Sequence, residues 1–288
     1  MTEMIEETIE RDGVSIPGMF YGTAWKEDQT EALVKRALEA GFRAIDTANQ
    51  RKHYFEDGVG AALESIYKSL EIERGDLFLQ TKFTFQAGQD ERLPYDPEAP
   101  IGEQVHQSFA SSLEHLRTDY IDSLVLHGPS QRAGLGEDDR AAWRAMEEVH
   151  ADGGARFLGV SNVTAEQLAA LCEFAEVTPS FVQNRCFARM GWDARVREIC
   201  GAYGIIYQGF SLLTANAREV STERIAKIAT ARSLTLAQLI FLFARQVGIL
   251  PLTGTTDGEH MRQDLATFVE APLEPGELVA LLAFDMSS

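Results

Sequence analysis

The chain has 288 residues, 45% of them hydrophobic, and a formal net charge of −18, so one large domain can bury an ample core. An acidic surface disfavours nucleic acid and anionic membranes as partners, and no segment approaches the ~18 consecutive apolar residues of a membrane span. The N-terminal sequence lacks the features of a signal peptide, and the three cysteines show no CxxC spacing. We therefore expect a cytoplasmic protein with free thiols, and nothing in the sequence argues against a monomer.

Eight short β-rich runs recur along the chain, at 19–25, 42–47, 77–83, 120–128, 155–162, 180–184, 204–211 and 248–254. Stretches with apolar residues at helical spacing lie between or after them, at 30–41, 58–70, 139–153, 164–175, 194–204, 234–246 and 274–284. Apolar strands that alternate with helices favour a parallel sheet covered on both faces. Eight such units predict an α/β fold, a single-domain (β/α)8 TIM barrel over residues 1–288, with a hairpin or arm at 1–15 that caps it. A doubly wound sheet is the alternative, but its GxGxxG motif is absent.

Polar side chains end most of these strands, where a barrel enzyme assembles its active site. Asp46 ends the second strand, Lys82 the third and His127 the fourth. The later strands end in Ser161 and Asn162, Gln183, Ser211, Thr253 and Thr255. Ser161 and Thr47 are equally well explained as turn or helix-capping residues, and His127 as a core histidine. Lys82 is harder to explain in this way, because an ammonium in a strand buried on both faces needs a carboxylate, for which Asp46 is the candidate.

The motifs around these residues resemble the aldo-keto reductases from about residue 18 to the last helix. They are GTAW (22–25), GFRAIDTA (41–48), LQTKF (79–83), YIDSLVLHGP (120–129), RFLGVSN (156–162), VQN (182–184), IIYQGFSLL (205–213) and PLTGTTDGEHMRQDL (251–265). The resemblance implies an NAD(P)H-dependent oxidoreductase that reduces aldehyde or ketone carbonyls, or oxidises the alcohols. It also implies a tyrosine proton donor supported by Asp46, Lys82 and His127.

This chemistry agrees with the residue types. Hydride adds to the carbonyl carbon, and the carbonyl oxygen must then be protonated. A tyrosine has an ordinary pKa of ~10, and a neighbouring Lys82 ammonium is expected to lower it. His127 is expected to donate a hydrogen bond to the carbonyl oxygen. The six histidines show no metal-ligand spacing, so we assign no metal.

The cofactor contacts follow from the resemblance alone. Ser161, Asn162 and Gln183 match residues that hold the nicotinamide carboxamide, and Phe210 matches an aromatic ring that stacks on it or, as the alternative, packs in the barrel. The other expected cofactor-binding residues are Gly22, Thr23, Ser211, Leu213, Thr253, Gly254, Thr255, His260 and Asp264. The segment with His260 resembles a phosphate site at a helix N-terminus. Leu252 stands where many relatives have lysine, and His260 where they have arginine. We expect NADP, with Arg262 as a further 2′-phosphate ligand and NAD accepted less well.

The substrate is expected to lie in an apolar pocket lined by Trp25, His53, Phe83 and Phe85. The chain ends four residues after the last helix, so we expect no long C-terminal loop and a permissive pocket for aldehydes or ketones of varied size. Two other functions stay open. One is a cofactor-binding regulatory protein on the same scaffold, and the other is a lyase that uses Lys82 as a Schiff-base nucleophile.

The stretch after Asp46 leaves two candidates for the proton donor. Most relatives have the tyrosine five residues after the aspartate, and that position is Arg51 here, which cannot donate because its pKa is above about 12. Tyr54 follows three residues later, whereas counting backward from the next helix selects His53. Lys82 would disfavour a protonated His53 but would stabilise a phenolate. We therefore predict Tyr54 as the acid, with His53 beside it shaping the pocket or binding substrate.

Overall fold

The computed structural model describes residues 4–69 and 71–283. The chain begins with an antiparallel hairpin formed by β1 (Thr8–Arg11) and β2 (Val14–Pro17). Asp12 and Gly13 form its turn, and both have the positive φ that a tight two-residue hairpin turn requires. Ile16 packs with phenylalanines from the starts of the barrel strands, so the hairpin closes the N-terminal end of the barrel. The hairpin therefore extends two residues beyond the expected 1–15.

Eight parallel strands form a closed barrel, as predicted. They are β3 (Phe20–Gly22), β4 (Ala44–Asp46), β5 (Phe78–Phe83), β6 (Ile121–Leu126), β7 (Ala155–Ser161), β8 (Phe181–Arg185), β9 (Ile206–Phe210) and β10 (Leu250–Thr253). Neighbours in the chain pair in order, and β10 pairs with both β9 and β3. This closure brings the C-terminal ends of all eight strands to one face.

The described helices surround the barrel. They are α1 (Thr30–Ala40), α2 (Glu56–Ser69), α3 (Ile101–Leu116), α4 (Glu137–Ala151), α5 (Ala165–Phe174), α6 (Ala194–Tyr203), α7 (Ala217–Val220), α8 (Glu223–Ala231), α9 (Leu236–Gln246), α10 (Gly258–Ala266) and α11 (Pro275–Leu282). The sequence patterns did not predict α3, α7 or α8, and α10 was expected only from the resemblance to a phosphate site at a helix N-terminus. The end of the helix predicted at 274–284, and the C-terminus on which the missing substrate loop was argued, lie outside the described residues. No single described helix is long and apolar enough to cross a membrane, although α8 and α9, bent by 89° at their break, meet the length and composition criteria together.

The start of α2 is important because the loop that carries His53 and Tyr54 leads into it. Gly60 lets α2 lie against the end of α3, since a Cβ at that position would stand 2.0 Å from the carbonyl oxygen of His115. Glu56, in the first turn of α2, is buried and accepts hydrogen bonds from Thr81 of β5 and Ser112 of α3. His115 Nδ1 lies 3.3 Å from the same carboxylate. The loop before α2 is therefore anchored to both the barrel and the neighbouring helix.

Candidate active site

A cavity of about 960 Å³ opens at the C-terminal ends of the barrel strands. Most of the predicted site residues line it: Gly22, Trp25, Asp46, His53, Tyr54, His127, Ser161, Asn162, Gln183, Phe210, Ser211, Leu213, Thr253, Gly254, Thr255, His260 and Asp264. Lys82 lies beneath its surface, against Asp46 and Tyr54. Among the described residues, no group of three or more His, Cys, Asp or Glu side chains is arranged to hold a metal ion.

Asp46 and Lys82 form a buried ion pair at the base of the cavity. Lys82 Nζ donates to Asp46 Oδ1 at 2.6 Å and to the carbonyl oxygen of Thr47 at 2.7 Å, and the lysine side chain is 0% exposed. Burial lowers the pKa of Lys82 below its ordinary value, and Asp46 opposes that shift. Two of the three N–H donors of the ammonium are thus bound to acceptors inside the barrel.

A network of glutamine side chains, which the sequence analysis did not predict, surrounds Asp46. Gln80 and Gln183 each donate to Asp46 Oδ1, at 2.7 and 2.9 Å. Gln208 exchanges hydrogen bonds with Gln80 and accepts one from Gln183. All three amides lie in the barrel interior, because they occupy inward positions of β5, β8 and β9. Each helps to fix the carboxylate that holds Lys82.

Tyr54 reaches the same place from the loop between β4 and α2. Lys82 Nζ lies 5.1 Å from the centre of its ring, and His127 meets the ring edge-on with centroids 5.8 Å apart. The expected lowering of the tyrosine pKa is wrong for this arrangement. Burial, with a further contribution from the Asp46 carboxylate, raises the pKa of Tyr54 above its ordinary value. Tyr54 is therefore protonated at neutral pH.

His53 is held in one hydrogen-bonding state by Gln50. The amide nitrogen of Gln50 donates to the carbonyl oxygen of Gly88 at 2.7 Å, so its Oε1 is the atom that faces His53 Nδ1 at 2.9 Å. His53 Nδ1 must then carry the proton, which leaves Nε2 as an acceptor in the neutral ring. Burial and the neighbouring Lys52 lower the pKa of His53, and both disfavour its protonated form. The ring also contacts the exposed Trp25 ring in a tilted arrangement, with centroids 3.9 Å apart.

The predicted nicotinamide residues present acceptors to the cavity. Ser161 donates to the carbonyl oxygen of Gln183 at 2.6 Å, and the Asn162 amide nitrogen donates to that of His127 at 2.8 Å. The Gln183 amide nitrogen is bound to Asp46 and Gln208. Within the described residues, Asn162 Oδ1 and Gln183 Oε1 have no hydrogen-bond donor. These two oxygens are available to a ligand with N–H groups.

The far end of the cavity carries a lysine with no acidic partner. Lys26 is 7% exposed, and its ammonium donates to the carbonyl oxygen of Gly254. No carboxylate of the described chain lies within ion-pair distance of it, and burial lowers its pKa. Sequence reasoning missed Lys26 as a site residue, although it directly follows the GTAW motif and is one of only six lysines. Arg185 and Gln50 also line the cavity and were missed.

The helix N-terminus expected to bind phosphate is already capped by the protein. Asp257 Oδ1 accepts from the backbone nitrogens of Glu259 and His260, at 2.7 and 3.1 Å. These N–H groups of α10 are therefore not free for an anion. Thr253 donates to the buried carboxylate of Asp264 at 2.7 Å, and burial raises the pKa of that carboxyl to about 6.

Four of the predicted site residues, Thr23, Phe83, Phe85 and Arg262, do not line the cavity. Phe83 is 2% exposed and packs on Phe85 and Tyr95, because successive side chains of a strand face opposite sides and Lys82 already faces inward. Thr23 is fully buried, and its hydroxyl donates to the carbonyl oxygen of Asp46 at 2.9 Å. Phe83 belongs to the layer between strands and helices, and Thr23 joins β3 to β4.

A tyrosine, a histidine and a buried aspartate–lysine pair at the C-terminal mouth of a (β/α)8 barrel form the site of a barrel enzyme. The model of the Aldo/keto reductase family matches residues 18–283, so the chain belongs to this family and is an oxidoreductase.

Similar proteins agree with this membership. An uncharacterized oxidoreductase of Schizosaccharomyces pombe is 30% identical over 89% of this chain and 84% of its own length. The glyoxal reductase of Bacillus subtilis is 29% identical over 88% of this chain and 83% of its own length. The crystal structure of an aldo/keto reductase from Brucella melitensis has a TM-score of 0.80 at 24% identity, covering 96% of this chain and 98% of that one. This last likeness supports the fold.

Proposed function

We propose that this chain is an NADPH-dependent carbonyl reductase, which converts aldehydes and ketones to alcohols and catalyses the reverse oxidation. The observation that carries the proposal is the convergence of a protonated phenol, a neutral imidazole and a buried ion pair on one cavity that also offers amide acceptors. The similar glyoxal reductase acts, by its name, on a carbonyl compound. A cytoplasmic location and a monomeric state stay predictions.

The residues present fit a nicotinamide dinucleotide. When bound, its reduced nicotinamide supplies the hydride. Asn162 Oδ1 and Gln183 Oε1 would accept hydrogen bonds from the carboxamide N–H2 group, and Phe210 would provide an aromatic face for the ring. Lys26 is a buried ammonium that lacks a counterion, so a phosphate group would supply the missing negative charge.

The choice of NADPH over NADH depends on the exposed residues around α10. His260 and Thr255 line the cavity there, and the side chains of Arg36 and Arg262 lie beside Gly258. Together they would favour a 2′-phosphate. Asp257 and Glu259 stand in the same region and oppose it, and Glu259 is paired with Arg262 at 2.7 Å. We therefore propose NADPH as the preferred cofactor, with NADH accepted less well.

Tyr54 is the better proton donor because it carries a proton at neutral pH and His53 Nε2 does not. A reduced carbonyl oxygen becomes an alkoxide, which is more basic than a phenolate, so transfer from a phenol is favourable even when its pKa is raised. In the reverse direction the phenolate accepts the proton. Lys82 acts as support rather than as a Schiff-base nucleophile, because its nitrogen is buried and donates to two acceptors.

The test is a panel of aldehydes and ketones of different sizes, assayed with NADPH and with NADH by the consumption of reduced cofactor. We expect turnover of several carbonyl compounds and a higher kcat/KM for NADPH. A large preference for NADH would contradict the cofactor assignment, and strict activity on one small sugar would contradict a permissive pocket. Cofactor binding without turnover on any compound would instead favour a regulatory protein. The Tyr54→Phe protein, which keeps the ring and loses only the hydroxyl, is the matched control for contaminating activity.

A further inference from the structure

Thr84, one residue beyond the end of β5, contacts the side of His127 that faces away from the cavity. Its Oγ1 lies 2.7 Å from His127 Nδ1. Thr84 is buried, and within residues 4–69 and 71–283 its hydroxyl has no other hydrogen-bond partner. His127 Nε2 likewise has no partner among these residues, while the ring lines the cavity. The Thr84 hydroxyl and His127 Nδ1 therefore have each other as their hydrogen-bond partner among the described residues.

Only one direction of this hydrogen bond satisfies both groups. Burial, reinforced by nearby Lys82, lowers the pKa of His127 to about 3, so the ring is neutral and carries one N–H. If Nδ1 carried the hydrogen and donated it, the buried hydroxyl proton would lack an acceptor. If the hydroxyl donates to Nδ1, its proton and the ring lone pair are both satisfied, and the ring hydrogen resides on Nε2.

We propose that Thr84 is a positioning residue that fixes His127 as its Nε2–H tautomer. In this tautomer the imidazole presents a hydrogen-bond donor to the carbonyl oxygen, whereas the other tautomer would present a lone pair that repels it. The proposal rests on the proposed carbonyl reduction. His53 is set in the opposite sense by Gln50, with its hydrogen on Nδ1, so the two imidazoles offer one donor and one acceptor.

Gly88 holds the Thr84 side chain in the required orientation. A Cβ on Gly88 would stand 2.7 Å from Thr84 Cγ2, closer than such carbon atoms can approach, and Gly88 is not in a positive-φ conformation. The threonine methyl therefore occupies the space that a side chain at position 88 would fill. The Thr84 backbone is fixed as well, since the Tyr95 hydroxyl donates to its carbonyl oxygen at 2.8 Å. With the methyl packed against Gly88, Oγ1 points at His127.

The first test compares Thr84→Val with Thr84→Ser. Valine keeps the shape and removes the hydroxyl, whereas serine keeps the hydroxyl. We expect the ¹⁵N chemical shifts of the His127 ring in Thr84→Val to report loss of the Nε2–H tautomer at neutral pH. We also expect kcat/KM to fall by about 10²-fold, the scale for one donor to a developing oxyanion, with unchanged NADPH affinity. Thr84→Ser should restore both the tautomer and the rate.

The second test is a cycle of Gly88→Ala, Thr84→Ser and the double variant. Gly88→Ala should displace the threonine methyl, and with it the hydroxyl, and so shift the tautomer and lower kcat/KM. In the Thr84→Ser background, which has no methyl at that place, the same Gly88→Ala change should have little effect. This cycle decides the question if Thr84→Val does not fold.

The proposal is overturned if Thr84→Val keeps the Nε2–H tautomer, or if Gly88→Ala acts equally in both backgrounds. The tautomer is measured without turnover. A failure of the carbonyl reductase function would therefore appear as an inactive unmodified protein whose His127 tautomer still responds to these substitutions.

Discussion

The two ends of the cavity are built differently. At the catalytic end, Asp46 and Lys82 sit on adjacent strands and are paired and buried before any ligand arrives. At the far end, Glu259, His260 and Arg262 of α10 are exposed, and Lys26 is buried without a carboxylate within ion-pair distance. Folding alone completes the first site, whereas the second lacks a negative charge that a dinucleotide would bring.

This difference predicts where substitutions act. A change at the catalytic end should lower the rate of the chemical step and leave cofactor affinity intact, because we propose that the groups there face the reacting oxygen. A change at the far end should weaken cofactor binding and leave the rate at saturation nearly unchanged, because phosphate contacts persist through the reaction.

The largest effect is expected for Tyr54→Phe. Removal of the hydroxyl removes the proposed proton donor and keeps the ring that packs on Lys82 and His127. We expect kcat to fall by ~10²-fold or more, the usual scale for a positioned acid, with NADPH affinity nearly unchanged. Steady-state kinetics and a cofactor titration measure the two quantities.

His53→Ala is the companion variant, because it removes the other candidate donor one residue away. We expect it to change KM more than kcat. An active Tyr54→Phe protein together with an inactive His53→Ala protein would show that the imidazole supplies the proton.

A smaller effect is expected for Lys26→Met, which should weaken NADPH binding without lowering the stability of the cofactor-free protein. Loss of the ammonium should raise the dissociation constant for NADPH by about tenfold, the low end for a hydrogen bond to a charged group. The same change removes an unpaired buried charge, so the cofactor-free protein should be as stable as the unmodified one or more stable. Fluorescence titration and thermal unfolding without cofactor measure these effects.

Lys227→Met is the matched control, since Lys227 is exposed on α8 and paired with Glu223. It should alter neither quantity. Unchanged NADPH affinity in Lys26→Met would mean that the Lys26 ammonium does not contribute to binding of the negatively charged cofactor.

The smallest effect is expected behind the loop that carries Tyr54, at the contact between His115 and Glu56. The hydrogen bond to Glu56 raises the pKa of His115 above its ordinary value. The His115–Glu56 contact therefore stabilises the fold fully below the pKa of ~6.5 that histidine has in the unfolded chain. This stabilisation is lost as the pH rises through the raised pKa of His115 in the folded protein. Because about a third of the side chain is exposed (34%), we expect at most about 1 kcal/mol.

Denaturant unfolding of His115→Gln between pH 5 and pH 9 provides the measurement, and the difference from the unmodified protein should shrink toward alkaline pH. His106→Gln, on the same helix but in an exposed pair with Glu148, controls for the loss of a histidine as such. A difference that grows with pH would contradict the assigned sign.

The repeating pattern of apolar runs predicted all eight barrel strands, and the motifs predicted most of the residues that line the cavity. Both predictions succeeded because the alternation of strands with helices and the placement of polar residues at strand ends are local properties of the chain. The same rule of alternation, applied to Lys82, already excludes Phe83 from the barrel interior. Lys26 was missed because neither periodicity nor strand position marks a loop residue.

The sequence by itself determined the barrel, its order of strands and the presence of an aspartate, a lysine, a histidine and a nearby tyrosine at one end. Only the tertiary structure decided the chemical state of these groups. Burial and the Asp46 carboxylate raise the pKa of Tyr54, the opposite of the expected shift. Gln50 and Thr84 set the hydrogen positions on His53 and His127 through contacts that span 3 and 43 residues. Protonation depends on distance, direction and desolvation in three dimensions, and the order of residues along a chain does not specify these.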